Sequence, residues 1–205
     1  MDVLSDEFYA ARERDVQRRL KPKRFTHVMG VAQTALELAC VYGVDERKAH
    51  LAGLLHDWDK CYTDEGIRER AVSLGVEVDP YVLQNMPQVL HGHTAAVALG
   101  REYPDLPTDV LQAIDRHTTG AVDMSDLDMV VYIADAIEPS RTYDGLDALR
   151  EAAGKVPLEE LFLRTFQSSF KNLVERGMCM DPQTVYIWNH YVTRSQKAAG
   201  EGGKA

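Results

Sequence analysis

The chain has 205 residues, 45% of them apolar and 27% charged, with a formal net charge of −9 at pH 7. That length and mixture suit one soluble globular domain with a substantial core and exclude a disordered or membrane-embedded chain. The acidic balance argues against general nucleic-acid binding, because a phosphate backbone would be repelled unless local positive charge overrode the field.

Helical period runs through almost the whole sequence, and no segment alternates as a half-buried strand would. An amphipathic helix is predicted from Ser5 to Leu20, and a second from Lys23 to a stop at Gly43. Asp45 reads as the N-cap of a third helix that carries "LLHDWDK", Leu54 to Lys60. Thr63 opens a short helix closed by Gly75, and Asp79-Pro80 opens another with proline in its first turn. Further helices are predicted over 88–103, 107–118, 125–137 and 157–176, with Asp181-Pro182 starting a last one over 182–197. The expected organisation is an N-terminal helix, 1–22, packed on a single all-α domain, 23–195, followed by a flexible tail, 196–205.

The longest apolar stretches, such as Met129 to Ala134, are far short of the ~20 residues that cross a bilayer. The acidic start lacks the order of a signal peptide, so a cytoplasmic location is expected. Cys40, Cys61 and Cys179 are widely spaced and odd in number, which suggests neither a disulfide framework nor a thiolate zinc site and leaves core or neutral packing as their expected role.

Side chains three, four and seven positions apart share one face of a helix. Leu51, Leu54, Leu55 and Trp58 mark the inward stripe of the third helix, with Asp57 above Leu54 and Gly53, and His56 above Ala49, Ala52 and Gly53. His27 lines up with Gly30, Val31 and Thr34, small residues that would let another group approach closely. His117 follows Val110 and Ile114 on one stripe, Asp135 follows Leu127 and Val131 on another, and His91 opens a helix just after Val89 and Leu90.

Any one of these has an ordinary explanation as a hydrogen-bonded core histidine, a cap or an ion-pair member. Together they are costly, since an uncompensated buried carboxylate loses several kcal/mol. Metal would answer four imidazoles and two carboxylates at once, and this donor set suits iron, manganese or zinc. Six ligands exceed what one ion with open positions requires, whereas two ions sharing Asp57 account for the count.

The ordered set "RFTH", "HDWDK", "LHG", "RHTTG" and "ADAIEPSR" resembles the HD phosphohydrolase superfamily and, within it, the bacterial YqeK family of symmetrical diadenosine tetraphosphate hydrolases, from about Lys23 to Arg141. The resemblance implies an HD-domain helical bundle with a dinuclear site. His27, His56, Asp57 and Asp135 would hold one ion, and His91, His117 and the shared Asp57 the second, with iron as the implied metal. It also implies cleavage of diadenosine tetraphosphate at its central phosphoanhydride to two ADP. Two divalent ions can hold a bridging hydroxide for such an attack, so no side-chain nucleophile is needed.

Asp57 and Lys60 are the candidate catalytic residues, and Arg24, Lys60, Arg141 and Thr118, with Thr119 before Gly120, the candidate phosphate contacts. His93 departs from the family pattern. It stands about 200° around the helix from His91, which assigns it to the surface or to the neighbourhood of the ligands. His50, His190 and the "YIWNHY" segment read as packing, with a stacking platform for adenine open for the last. The expected partner is a small nucleotide, with no nucleic acid and no membrane; a homodimer stays open. The rival readings are an HD enzyme acting on a nucleoside monophosphate or a guanosine alarmone, and a non-catalytic nucleotide-sensing module. A cyclic dinucleotide is disfavoured, because "EYP" at Glu102 stands nearest to the G-Y-P signature of that branch.

Overall fold

The computed structural model describes residues 2–202, with side chains described through residue 197. Among the described residues every regular element is helical: α1 (Asp6–Arg19), α2 (Pro22–Tyr42), α3 (Glu46–Leu55), α4 (Asp64–Leu74), α5 (Pro80–Asn85), α6 (Leu90–Glu102), α7 (Thr108–Arg116), α8 (Asp126–Ile137), α9 (Leu146–Ala152), α10 (Leu158–Glu175) and α11 (Gln183–Gly202), with a single 3₁₀ turn at Pro87–Val89. The starts are set by side-chain caps that satisfy otherwise orphaned backbone N–H groups. Ser5 accepts from the Phe8 N–H, Asp45 from Lys48, Thr63 from Gly66 and Asp79 from Tyr81. Ser125 and Asp128 form a reciprocal capping box at the head of α8.

α2, α3 and α8 form the centre, where Val28, Val31, Ala32, Leu54, Leu55, Val130, Val131 and Ile133 are fully buried. Close approach of the backbones depends on missing side chains: a Cβ at Gly53 in α3 would lie 2.8 Å from the Ala32 Cα of α2, and one at Gly92 in α6 would lie 2.9 Å from the Ile114 carbonyl of α7. α10 and α11 cover the flank of α8 with aromatic contacts, Tyr132 to Phe162 at 5.1 Å and Phe162 to Tyr191 at 4.9 Å between ring centres. α1 adds Phe8, Val16 and Leu20 to the same core, while a smaller cluster of Ile67, Ala71, Val82, Met86 and Leu90 joins α4 and α5 to the start of α6.

The helix boundaries differ from the sequence expectation where the chemistry sits. α3 ends at Leu55, so "HDWDK" is not helical. Tight turns follow, with Trp58 N–H donating to the Leu55 carbonyl at 3.0 Å and Lys60 N–H to the Asp57 carbonyl at 2.9 Å. On this turn His56 and Asp57 still reach one place, with His56 Nε2 3.4 Å from Asp57 Oδ2. α7 likewise stops at Arg116, leaving His117 at its C-cap.

α9 has no counterpart among the predicted helices. It is only seven residues long, and Gly145 at φ 86° occupies its N-cap where a capping side chain would have announced it. α11 continues to Gly202, and the rest of the expected tail, 203–205, lies outside the described residues. The three cysteines are exposed and free rather than packed into the core, and among the described residues no helix is long and apolar enough to cross a membrane.

Candidate metal centre

His27 sits on the inner face of α2, His56 and Asp57 on the turn after α3, His91 at the start of α6, His117 at the end of α7, and Asp135 in the last turn of α8. All four imidazoles and Asp57 are at most 6% exposed. His27 Nε2 lies 3.0 Å from Asp135 Oδ1 and 3.7 Å from Asp57 Oδ2. His56 Nε2 is 3.4 Å from Asp57 Oδ2 and 4.0 Å from Asp135 Oδ1. His91 Nε2 is 3.0 Å from both Asp57 Oδ1 and His117 Nε2. Ligand atoms from His27, His56 and Asp135, one each, lie within 4.8 Å of one another, and so do those from His56, Asp57 and His117.

The opposite ring nitrogens decide what these short distances mean. His56 Nδ1 lies 2.6 Å from the Gly53 carbonyl, His91 Nδ1 2.9 Å from that of Gln88, and His117 Nδ1 2.7 Å from that of Ile114. His27 Nδ1 lies 2.9 Å from Glu138 Oε1. A carbonyl or carboxylate oxygen only accepts, so Nδ1 of His27, His56 and His117 carries a proton and the neutral ring presents a lone pair at Nε2, whereas His91 Nδ1 stands between the Gln88 carbonyl and Lys60 Nζ, 3.2 Å away. In the neutral rings, lone pairs and carboxylate oxygens face one another at 3 to 4 Å. The Nε2 atoms of His27 and His56 are fully buried without a hydrogen-bond partner. A proton on an imidazole or a bound metal ion supplies the positive charge that arrangement calls for, and a nitrogen and oxygen donor set without thiolate fits divalent transition metals.

Charge follows the same logic. Burial pushes the Asp57 carboxyl up, yet His56 and His91 hold it well below its ordinary range. Burial likewise opposes ionisation of Asp135, and His27 with Arg141 overcomes it and lowers that carboxyl well below the usual value. Burial lowers His91, and burial together with the neighbouring His56 and His91 lowers His117 strongly, which keeps both rings neutral and able to donate a lone pair. At His56 burial pushes down but Asp57 and Asp135 prevail, so positive charge is drawn to the middle of the cluster.

Residues 24–140, more than half of the chain, match the HD domain family. The chain belongs to the HD domain family. Its relatives include the symmetrical bis(5'-nucleosyl)-tetraphosphatase of Bacillus subtilis (strain 168), 30% identical over 88% of this chain and 95% of that protein. The protein of the same name from Staphylococcus aureus (strain NCTC 8325 / PS 47) is 33% identical over 87% of this chain and 92% of its own length. Among solved structures, a predicted HD superfamily hydrolase involved in NAD metabolism from Clostridium acetobutylicum superposes with a TM-score of 0.84 at 34% identity, covering 91% of this chain and 97% of that one.

Within the HD domain the candidate substrate groups rim the cluster. Arg24 donates to Asp57 Oδ2 at 3.0 Å, and Arg141 donates to Asp135 through Nη2 at 2.5 Å. Lys60 Nζ lies 3.2 Å from both the Gln88 carbonyl and His91 Nδ1, and burial lowers its pKa. Thr118 Oγ1 is 3.0 Å from His117 Nε2, whereas Thr119 turns back to the Gly120 carbonyl at 3.4 Å. His93 faces away and pairs with Asp115 at 2.7 Å. His50 stacks on Tyr9, Trp188 stacks on Phe170, and Ile187 and Tyr191 are buried, while Tyr186 is exposed.

Sequence reasoning missed two buried carboxylates beside the ligands. Glu138, 1% exposed, supports His27, and its nearest sequence signal is the three-residue spacing from Asp135. Asp59, also 1% exposed, is bonded by Arg19 of α1 and Arg70 of α4. Nothing in "HDWDK" separates the role of its second aspartate from that of its first.

Proposed function

We propose that this HD domain hydrolyses diadenosine tetraphosphate at its central phosphoanhydride, giving two ADP. Four elements support the reading: membership of the HD domain family, relatives named symmetrical bis(5'-nucleosyl)-tetraphosphatase aligned over nearly their whole length, a cluster suited to two ions, and cations at its rim. The observation that carries the hydrolytic chemistry is the set of buried imidazole Nε2 atoms facing carboxylate oxygens.

His27, His56 and Asp135 would hold one ion, His91 and His117 the other, with Asp57 shared. Divalent ions bound there, iron by family resemblance or else manganese or zinc, supply Lewis acidity toward a phosphoryl oxygen and acidify water. The chain's own residues do the rest. Burial keeps His91 and His117 neutral as ligands, and Arg24, Lys60 and Arg141 are the cations that the rim offers to a substrate. These three can neutralise the oxygens of a polyphosphate chain, the main demand when the leaving group is as stable as ADP. The Thr118 hydroxyl supplies a short donor beside His117. The bond from one central phosphorus to the bridging oxygen breaks and that oxygen leaves with one ADP, the water oxygen becomes a terminal oxygen of the other ADP, and the two protons of the water pass to solvent.

The test is the product profile of purified protein against dinucleoside polyphosphates, mononucleotides, guanosine alarmones and nicotinamide nucleotides, with bound metal measured on the same sample. The expected outcome is about two ions per chain and ADP as the sole adenine product of the tetraphosphate. AMP plus ATP would move the cut to an outer bridge, and failure to turn over any member of the panel would favour a sensing module.

A further inference from the structure

Three of the four ligand imidazoles are oriented by means their own helices provide. His56 and His117 occupy helix C-caps, and His91 follows a 3₁₀ turn. There each Nδ1 reaches the carbonyl three residues earlier. At a helix end such carbonyls lack intrahelical partners and are free to accept.

His27 has no such resource. It lies in the interior of α2, where the neighbouring carbonyls are committed to the helix. Its Nδ1 is met by Glu138, from 111 positions further along the chain. That carboxylate is itself held. Ser140 donates its backbone N–H to Oε2 at 2.7 Å and its hydroxyl to Oε1 at 2.5 Å. It also rests on bare backbone: a Cβ at Gly30, one turn after His27, would sit 2.5 Å from Glu138 Oε2. A carboxylate behind an imidazole makes the far nitrogen a stronger donor than a neutral carbonyl does. The cluster is therefore uneven, with charge-backed His27 on one side and carbonyl-backed His91 and His117 on the other.

Resting on the two-ion reading above, we propose that Glu138 is a positioning residue that locks His27 with Nε2 inward and makes the His27 side the tighter of the two ion sites, and that glycine at position 30 admits its carboxylate.

The full chain, stripped with chelator and titrated with Mn²⁺ alone while free ion is counted by electron paramagnetic resonance, tests this. The wild type should bind two ions of unequal affinity. Glu138→Gln, which removes the charge at constant shape, and Gly30→Ala, which displaces the carboxylate without touching a polar group, should each weaken the tighter class about 10- to 100-fold. The looser class should stay within a few-fold, and thermal melts of the stripped proteins report any plain loss of fold. Should Gly30→Ala fail to fold, the isosteric Glu138→Gln carries the test. Two ions bound with unchanged affinities, or both classes weakened equally, overturn the role of Glu138 and leave the dinuclear site standing. One ion per chain, weakened in the variants, sinks the dinuclear reading and supports the role of Glu138 behind His27. No binding at all overturns both.

Discussion

Asp57 and Asp59 are two residues apart on one turn and almost equally buried, yet their surroundings are opposite. Asp59 is closed: Arg19 reaches one oxygen at 3.2 Å and Arg70 the other at 2.5 Å. Arg19 also bonds the Trp58 carbonyl at 3.1 Å and lies 4.4 Å over the Trp58 ring, so the carboxylate has both oxygens answered within one network. Asp57 is open. Arg24 occupies one side of it, and the rest faces imidazole lone pairs that no protein donor answers. Burial of a charge does not by itself mark a functional site; an incomplete set of partners does.

The sharpest way to break the comparison is to treat the two aspartates alike. Asp57→Ala should abolish ADP formation from the tetraphosphate while circular dichroism keeps the helical signal; near-normal turnover would remove the shared-ligand role. Asp59→Ala should do the reverse, costing about 3–5 kcal/mol of unfolding free energy in urea because two arginines lose their carboxylate, with ion content close to wild type. Loss of the ions with stability intact would reclassify Asp59 as part of the site. Lys60→Ala should reduce kcat/KM by about 100-fold through lost charge stabilisation with both ions retained, and empty ion sites would instead make Lys60 structural.

A smaller effect concerns a polar group that survives burial by staying neutral. Tyr132 in α8 has its phenol pushed up to about 12 by burial. Its folded pKa exceeds the unfolded value near 10. The stabilisation is therefore complete below pH 10 and is lost as pH rises through 12. Tyr132→Phe should flatten that alkaline decline by about 1–3 kcal/mol, read from urea midpoints at pH 9 and 11.5. An unchanged decline would assign it to other groups.

The parts legible in the sequence share a physical basis: they depend on neighbours along the chain. Caps at Ser5, Asp45, Thr63, Asp79 and Ser125 announce helices because the capping bond spans two or three residues. α9 escaped because it is stabilised by burying Leu146, Leu149 and Ala152 and has no side-chain cap. The inward aspect of His27, Gly30 and Thr34 pointed to a close visitor, but its identity as Glu138 was out of reach for any local rule.

Sequence alone determined the all-helical class, because helical period and capping chemistry are local, and it supplied the six polar residues whose burial needed an explanation. Tertiary structure decided the rest. It ended α3 one residue before His56, brought the Nε2 atoms of His27, His56, His91 and His117 together around Asp57 and Asp135, closed Asp59 with Arg19 and Arg70, and seated Glu138 on Gly30. The reason is that a ring nitrogen's role is fixed by which acceptor the packed backbone offers its partner nitrogen, and that acceptor need not be near in sequence.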